Sequence, residues 1–377
     1  MIRWGIIGCG DVAEVKSGPG FRLVEGSDLV AVMRRDGAKA ADYAQRHNVP
    51  YWFDNADAVI RHPEVDAVYI ATPPGSHLDY ALAACAAGKP CYVEKPMARS
   101  HAECAVMIEA FEKARLPLFV AFYRRSLARF LKAKDLVETG RIGQVTGVSY
   151  RFASASHRRT DAANLPWRLQ AEEAGGGLFL DLGCHTLDIL DFILGPLGDV
   201  EGTAANLAGP YDVEDSIAMR FRTPSGALGT AAWNFVSGVN TDIIEITGTD
   251  GQIALSTFGN EPVRLRALPG AASTSFPGQG ANTDPRPTAE LRDKTFDLPN
   301  PTHIQQPLIQ TIVDALNGKG ACPSTGVTAA RTALVMDTVL NSFYGGRDDA
   351  FWTRPETWPG NRSLLLTNKT ESLERHC

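Results

Sequence analysis

The sequence predicts an α/β chain: a parallel sheet covered by helices, then an α+β unit with a large, open, mostly antiparallel sheet. Two observations carry this. Short apolar runs alternate with helical patterns over the first 124 residues, as in parallel sheets covered on both faces. Beyond the middle of the chain, strand-like runs follow one another with few helices between them, as in antiparallel sheets.

Strands are expected at 2–7, 29–33, 66–71, 91–93 and 118–122, with helices near 38–46, 76–87 and 100–114. Ser76-His77-Leu78-Asp79 and Ser100-His101-Ala102-Glu103 have the form of a capping box or a near relative, which marks helix starts. Gly18-Pro19-Gly20 is expected to stop the first helix early. After about residue 125 the pattern changes. A helix at 127–138 ends at Gly140, and a strand follows at 145–153. A polar, arginine-rich loop spans 157–165. The run Gly175-Gly176-Gly177 then leads into a helix at 181–194. Further strands are expected at 200–206, 216–222, 227–235, 243–247, 252–256 and 263–267. Residues 271–286, rich in Gly, Ser, Pro and Thr, read as a surface loop. Two helices at 303–316 and 325–343 follow from the spacing of Leu308, Ile312 and Leu316 and of Leu334, Thr338 and Asn341. The chain divides into 1–124, 125–345 and a polar extension, 346–377, expected to dock loosely on the body.

Length and composition agree with about two domains: the chain has 377 residues and a net charge of −6 with both signs interspersed. That argues against a nucleic-acid surface, which needs clustered Lys and Arg. No apolar run has the length of a membrane span. The start, Met1-Ile2-Arg3-Trp4-Gly5, runs straight into a strand and carries no signal-peptide pattern. Asn361-Arg362-Ser363 and Asn368-Lys369-Thr370 are read as chance matches to a glycosylation triplet. The seven cysteines include no CxxC pair, so neither a disulfide framework nor a metal site is expected. A reducing, cytoplasmic setting fits.

Gly8-x-Gly10-x-x-Ala13 follows the first strand and opens a helical turn. Gly8 permits the tight turn, Gly10 lets the backbone approach a pyrophosphate, and Ala13 lets the helix pack close. The N–H groups of Asp11 and Val12, with Cys9 between the glycines, would face the phosphates. After the first strand of an alternating array, this pattern indicates a Rossmann dinucleotide-binding domain. NAD-binding folds place an acid at the end of the second strand, where it accepts from the ribose hydroxyls. Here that position is Arg34, followed by Arg35 and Asp36. A guanidinium suits a 2′-phosphate, so NADP is favoured over NAD. The alternative is that the arginines are solvated and Asp36 binds the ribose.

Ligands of open parallel sheets bind at the carboxyl ends of the strands. Three loops end there: Ala71-Thr72-Pro73-Pro74 with His77, Val93-Glu94-Lys95-Pro96, and Phe122-Tyr123-Arg124-Arg125. Carbonyl–alcohol chemistry by hydride transfer needs a proton donor or acceptor at the oxygen and a cation to polarise it. Lys95 supplies the cation; the plainer alternative is a surface ion pair with Glu94. Asp181 and His185 are four apart and share a helix face, with Asp181 expected to orient His185 or the substrate. The alternative for them is an acid at a helix N-terminus plus a half-buried histidine. The triple glycine is expected to let that turn approach a ligand. Trp167 and Arg168 wall the pocket or simply pack. Arg124 or Arg125 binds substrate hydroxyls or starts a helix. His77 is a cofactor contact or only a first-turn residue.

These motifs, in this order, resemble the glucose–fructose oxidoreductase / inositol dehydrogenase / MocA family from residue 1 to about 345. The resemblance includes Gly8-Cys9-Gly10, Ala71-Thr72-Pro73-Pro74, Glu94-Lys95-Pro96, the glycine run, Asp181-x-Gly183-x-His185, Val213-Glu214-Asp215 and the closing His303…Pro307 segment. It implies a Rossmann domain followed by a domain whose open sheet builds homodimers or homotetramers. It also implies a sugar, polyol, anhydrosugar or cyclic diol as substrate. Lys95, Asp181 and His185 match the family's catalytic lysine, aspartate and histidine. Arg34 departs from the NAD-using members, and the early Gly-Pro-Gly is unusual. Two other readings stand beside the enzyme: a non-catalytic dinucleotide-binding sensor of the same fold, and a glycosidase-like use of bound NAD.

Overall fold

The computed structural model describes residues 1–155, 160–268, 291–348 and 350–361. The first sheet has six parallel strands: β1 (Ile2–Ile7), β2 (Ser27–Met33), β3 (Tyr51–Phe53), β4 (Ala67–Ile70), β5 (Cys91–Val93) and β6 (Leu118–Val120). Their order is β3-β2-β1-β4-β5-β6. Every residue of β4, β5 and β6 is buried, which is why these strands read as unbroken apolar runs. The connecting helices are α1 (Gly20–Leu23), α2 (Gly37–Arg46), α3 (Ala56–Ile60), α4 (His77–Ala86) and α5 (His101–Ala114). β1 pairs with both β2 and β4. The connections therefore reverse direction at β1 and leave a crevice at its carboxyl end.

The second sheet has eight strands, β7 (Val145–Ala153) and β8 (Gly198–Ala205) to β14. The intervening strands are β9 (Ser216–Arg222), β10 (Leu228–Asn234), β11 (Thr241–Gly248), β12 (Gly251–Leu255) and β13 (Val263–Ala267), and β14 is Arg292–Phe296. Their order is β14-β13-β12-β11-β7-β10-β9-β8. Pairing is antiparallel except between β7 and β10. The helices of this half are α6 (Ala128–Glu138), α7 (Ala171–Ala174), α8 (Cys184–Leu194), α9 (Gln306–Leu316) and α10 (Gly326–Tyr344). The last two join the halves. α10 lies on β8 and against α5 and α8, while α9 packs on α1 and on the short turn Tyr123–Ser126. Just before α10, the Ser324 hydroxyl donates to the Val120 carbonyl at 2.7 Å, closing the β6 edge.

Besides the single-turn helices α1 and α7, three elements are additional to those expected. β3 and α3 are only three and five residues long, too short for a periodic signal. β14, Arg-Asp-Lys-Thr-Phe, is an exposed edge strand with no apolar face. The break at Gly18-Pro19 occurs as expected, but packing also fixes it: a Cβ on Gly18 would lie 2.1 Å from the Tyr43 hydroxyl. Ser100 caps α5 by accepting from the Glu103 N–H. Ser76 does not cap α4; its hydroxyl donates to Thr72 Oγ1 at 2.8 Å. The helix expected from 181 begins at Cys184, after a π turn at Phe179–Gly183. Residues 350–361 dock firmly rather than loosely, with Phe351 and Trp358 buried against Tyr344. The expected loop at 271–286, part of the loop at 157–165 and the triplet at 368–370 lie outside the described residues.

Candidate active site

A cavity of about 750 Å³ opens at the carboxyl ends of β1, β2, β4 and β5 and reaches the second sheet. Its floor is the glycine loop. The N–H groups of Gly8 and Cys9 both donate to the Met33 carbonyl, tying the loop to the end of β2. Gly8 has φ +93°, and a Cβ there would lie 2.9 Å from the Thr72 side chain. That glycine answers to the protein's own packing. Gly10 does not, because a Cβ there would meet nothing within 4 Å. The open space before Gly10, beside first-turn N–H groups that lack intrahelical acceptors, fits a pyrophosphate. Arg34, Arg35 and Lys39 line the cavity at the end of β2. Asp36 lines it too; it caps α2 by accepting from the Lys39 N–H at 3.2 Å and pairs with the Lys39 ammonium.

At the far end, Lys95 meets the second half of the chain. Its Nζ lies 2.5 Å from Asp181 Oδ1 and 2.8 Å from the Asp181 carbonyl oxygen. The Lys95–Pro96 peptide is cis. The other Asp181 oxygen accepts from Arg168 Nε at 3.0 Å. Burial opposes the charge on Lys95, but the Asp181 carboxylate outweighs it and holds the ammonium above its ordinary pKa. Burial likewise resists ionisation of Asp181, and Lys95 overcomes it, so the carboxyl titrates below its ordinary range. The pair is therefore charged at neutral pH. Lys95 makes no ion pair with Glu94. That carboxylate is buried and accepts from the Tyr69 hydroxyl at 2.5 Å and from Gln305 Nε2 at 2.6 Å.

His185 stands apart from Asp181. Its ring lies edge-on to Phe122, Tyr123 and Phe258, and its buried Nδ1 has no protein partner. Burial, reinforced by the charges of Arg124, Lys95 and Lys16, holds its pKa well below the ordinary value. The imidazole is neutral at neutral pH. Of the two roles expected of Asp181, orienting His185 is not seen: its carboxylate holds Lys95 and Arg168. The π turn that carries Asp181 gives that segment a wider winding than an α-helix, and both carboxylate oxygens are engaged by cations.

The glycine run also differs in its cause. A Cβ on Gly175 would lie 2.7 Å from the Arg99 backbone, and one on Gly177 would lie 2.4 Å from the Glu214 carbonyl oxygen. The Glu214 carboxylate accepts the Gly177 N–H, and Arg347 donates to the carbonyls of Arg99 and Gly175. The glycines let the protein pack on itself and so fix the turn before Asp181. None of the three lines the cavity.

Of the remaining expected residues, Asp11, Val12, Ala71, Thr72, Pro73, Tyr123, Arg124, Trp167 and Arg168 line the cavity with Lys95, Asp181 and His185. Cys9 and His77 do not. Cys9 is buried, with its thiol pushed up to about 11 by desolvation. His77 is wedged between the carbonyls of Thr72 and of Pro96 and Met97, joining two loops beneath the cavity. Arg125 also lies outside the lining: its guanidinium holds Asp188 and Asp191 of α8. Lining residues that the sequence reading missed include Lys16, Phe258 and Gln305. The helical spacing beyond the glycine loop points to Lys16. Phe258 carries no local signal, because it arrives from the second sheet.

Comparison with known proteins agrees with this architecture. Residues 2–122 match the family described as "Oxidoreductase family, NAD-binding Rossmann fold", and residues 130–254 match the GFO/IDH/MocA C-terminal domain. "Oxidoreductase P35" of Formosa agariphila is 34% identical over 339 residues, covering 89% of this chain and 97% of that protein. The 1,5-anhydro-D-fructose reductase of Ensifer adhaerens is 29% identical, covering 73% and 82%. The solved structure of a levoglucosan dehydrogenase in complex with NADH superposes with a TM-score of 0.77 at 21% identity, covering 90% of this chain and 96% of that one, which speaks for the fold. Among the described residues, no helix is long and apolar enough to cross a membrane. Both domain matches, together with a relative aligned over nearly its whole length, establish that the chain belongs to the glucose–fructose oxidoreductase / inositol dehydrogenase / MocA family of NAD-binding oxidoreductases.

Proposed function

We propose that this protein is a dehydrogenase or reductase acting on a secondary alcohol or ketone of a sugar, polyol, anhydrosugar or cyclic diol. The observation that carries the reading is the meeting of a charged Lys95 and a neutral His185 at one end of a cavity floored by the glycine loop. The bound nicotinamide supplies or accepts the hydride. Lys95 donates to the substrate oxygen and stabilises its developing negative charge. His185, neutral and without a protein hydrogen bond, takes the hydroxyl proton in oxidation and returns it in reduction. Asp181 keeps Lys95 protonated and, with Arg168, fixes its direction. Residues 1–124 hold the nucleotide, and 125–345 hold the substrate and build a homodimer or homotetramer through the open sheet face. A cytoplasmic location fits this use of a nicotinamide.

For the cofactor we favour NADP over NAD. Arg34, Arg35 and Lys39 line the cavity where a ribose 2′-phosphate would sit, and Asp36 is committed to capping α2. A guanidinium there binds a phosphate with charge-assisted hydrogen bonds. Lys95→Ala and His185→Ala are expected to bind cofactor and to lose turnover by about 10²–10⁴-fold; near-normal rates in both would remove the assignment. The ratio of kcat/KM for NADPH over NADH is expected to exceed one and to invert in Arg34→Asp. A preference for NADH in the unaltered protein would refute the NADP reading.

A further inference from the structure

We propose that the substrate is an acid: a sugar or polyol bearing a carboxylate, which Arg124 receives beside the reacting carbon. The inference rests on the hydride-transfer reading above and narrows its substrate class.

Arg124 is 6% exposed, yet it lines the cavity. Its Nε donates to the Thr257 carbonyl at 3.0 Å and its Nη1 to the Tyr123 hydroxyl at 3.0 Å. Nη2 has no protein partner. No carboxylate pairs with Arg124 among the described residues; of the other buried arginines, Arg125 and Arg347 hold aspartates, while Arg129, outside the cavity, spends its guanidinium on the Gly259 and Glu261 carbonyls and the Ser256 hydroxyl. The carboxylates of the adjoining loops are occupied. Asp242 accepts the Thr257 and Phe258 N–H groups and the Tyr150 hydroxyl. Glu261 accepts from Ser256, which also receives Arg129.

A buried guanidinium is costly without a counter-charge. Here the missing partner belongs in the cavity. The guanidinium lies 4.9 Å from the Tyr123 ring centroid and 4.8 Å from that of Phe258. The same two rings flank His185 at 5.6 and 5.9 Å. Arg124 and the proton-handling histidine therefore share one end of the cavity, on the side of the second sheet. The charges there reinforce the point. Among the buried and half-buried lining residues there, Lys95, Arg124 and Arg168 stand against Glu94 and Asp181, while Lys16, Glu172 and Glu173 are exposed. The unpaired Nη2, beside two aromatic rings, offers one charge-assisted donor group, which we assign to a singly charged, planar carboxylate.

The test is calorimetric binding of D-gluconate, D-glucuronate, D-glucose and D-glucose 6-phosphate to the full chain saturated with NADP⁺, in the unaltered protein, Arg124→Gln and Arg124→Lys. The carboxylates are expected to bind at least ten-fold more tightly than glucose. Arg124→Gln is expected to weaken carboxylate binding by about a hundred-fold, as for truncation of one member of a buried charged pair, and glucose binding far less. Arg124→Lys should recover part of the loss. The proposal is overturned if glucose binds as well as the acids, if the phosphate binds more tightly than either carboxylate, or if Arg124→Gln loses NADPH affinity while retaining acid affinity. Turnover of the same sugars is read separately. Failure to turn over any of them with either cofactor would count against hydride transfer, while the calorimetry still decides the acid preference.

Discussion

On the proposed mechanism, the charge states of Lys95 and His185 divide the chemistry between two side chains in one cavity. Lys95 keeps its proton because Asp181 outweighs the burial that opposes it. Asp181→Asn removes that compensation, and desolvation then lowers the lysine pKa. The expected result is a kcat lower by roughly 10²-fold, comparable to losing one transition-state donor, with a new fall in rate on the alkaline side. A pH profile of the variant checks this. His185 is shifted the other way. Its pKa lies below the ordinary value, so the unprotonated base survives as the pH falls through about 6.5. The kcat/KM for alcohol oxidation should show no inflection there and should decline only at lower pH; an inflection at the ordinary histidine value would contradict the assignment. Both residues could be named as candidates from the sequence because each belongs to a compact local motif. Their partners could not. Asp181 lies four residues from His185, yet its carboxylate bonds Lys95 and Arg168, contacts that depend on how the two halves of the chain meet.

Glycines that look alike in the sequence do opposite work in their elements. Gly10 faces open space and Gly177 faces the Glu214 backbone. Gly10→Ala is therefore expected to melt within about a degree of the unaltered protein and to raise the KM for the nicotinamide cofactor at least about ten-fold, because the added methyl intrudes where the pyrophosphate approaches. Gly177→Ala should instead cost about 1–3 kcal/mol by overpacking. It should also lower kcat by displacing the turn that carries Asp181, with the cofactor KM little changed. Thermal melts and steady-state kinetics on the pair separate the two roles. The strands and helices with clear period were legible before the fold was known. β3, α3 and β14 were not: β3 and β14 are short edge strands with little burial, and α3, although it buries Ala56, Val59 and Ile60, is too short for a period to show. The π turn at Phe179–Gly183 was also hidden: its winding follows from packing of the glycine run on Arg99 and Glu214.

At the scale of the whole molecule, the nucleotide half is completed by residues from the far end of the chain. Gln305 bridges the Tyr92 hydroxyl and Glu94 at 2.7 and 2.6 Å. Ser324 closes the β6 edge, and a Cβ on Gly20 would lie 3.0 Å from Ile309 of α9. Arg125 reaches from the turn after β6 to buried Asp188 and Asp191 on α8. Sequence order conceals this, because alternating strands and helices end near residue 124 and suggest a self-contained unit. A chain cut after residue 124 would leave the Tyr92 hydroxyl and Glu94 without Gln305, α1 without α9, and an unpaired β6 edge open to association. It is expected to bind a hydrophobic dye, to lack a cooperative thermal transition and to show no NADPH-dependent stabilisation. The full chain should gain several degrees with saturating NADPH, since a ligand at a hundred times its dissociation constant adds about 2.7 kcal/mol to the folded state. Arg125→Met tests the same dependence in the intact chain. Removing one partner leaves two aspartates buried, with only Arg331 holding Asp191, and should cost about 3–5 kcal/mol. If the truncated chain melts cooperatively and binds NADPH, the far helices are accessories, and the active site is assembled by docking two independently folded parts.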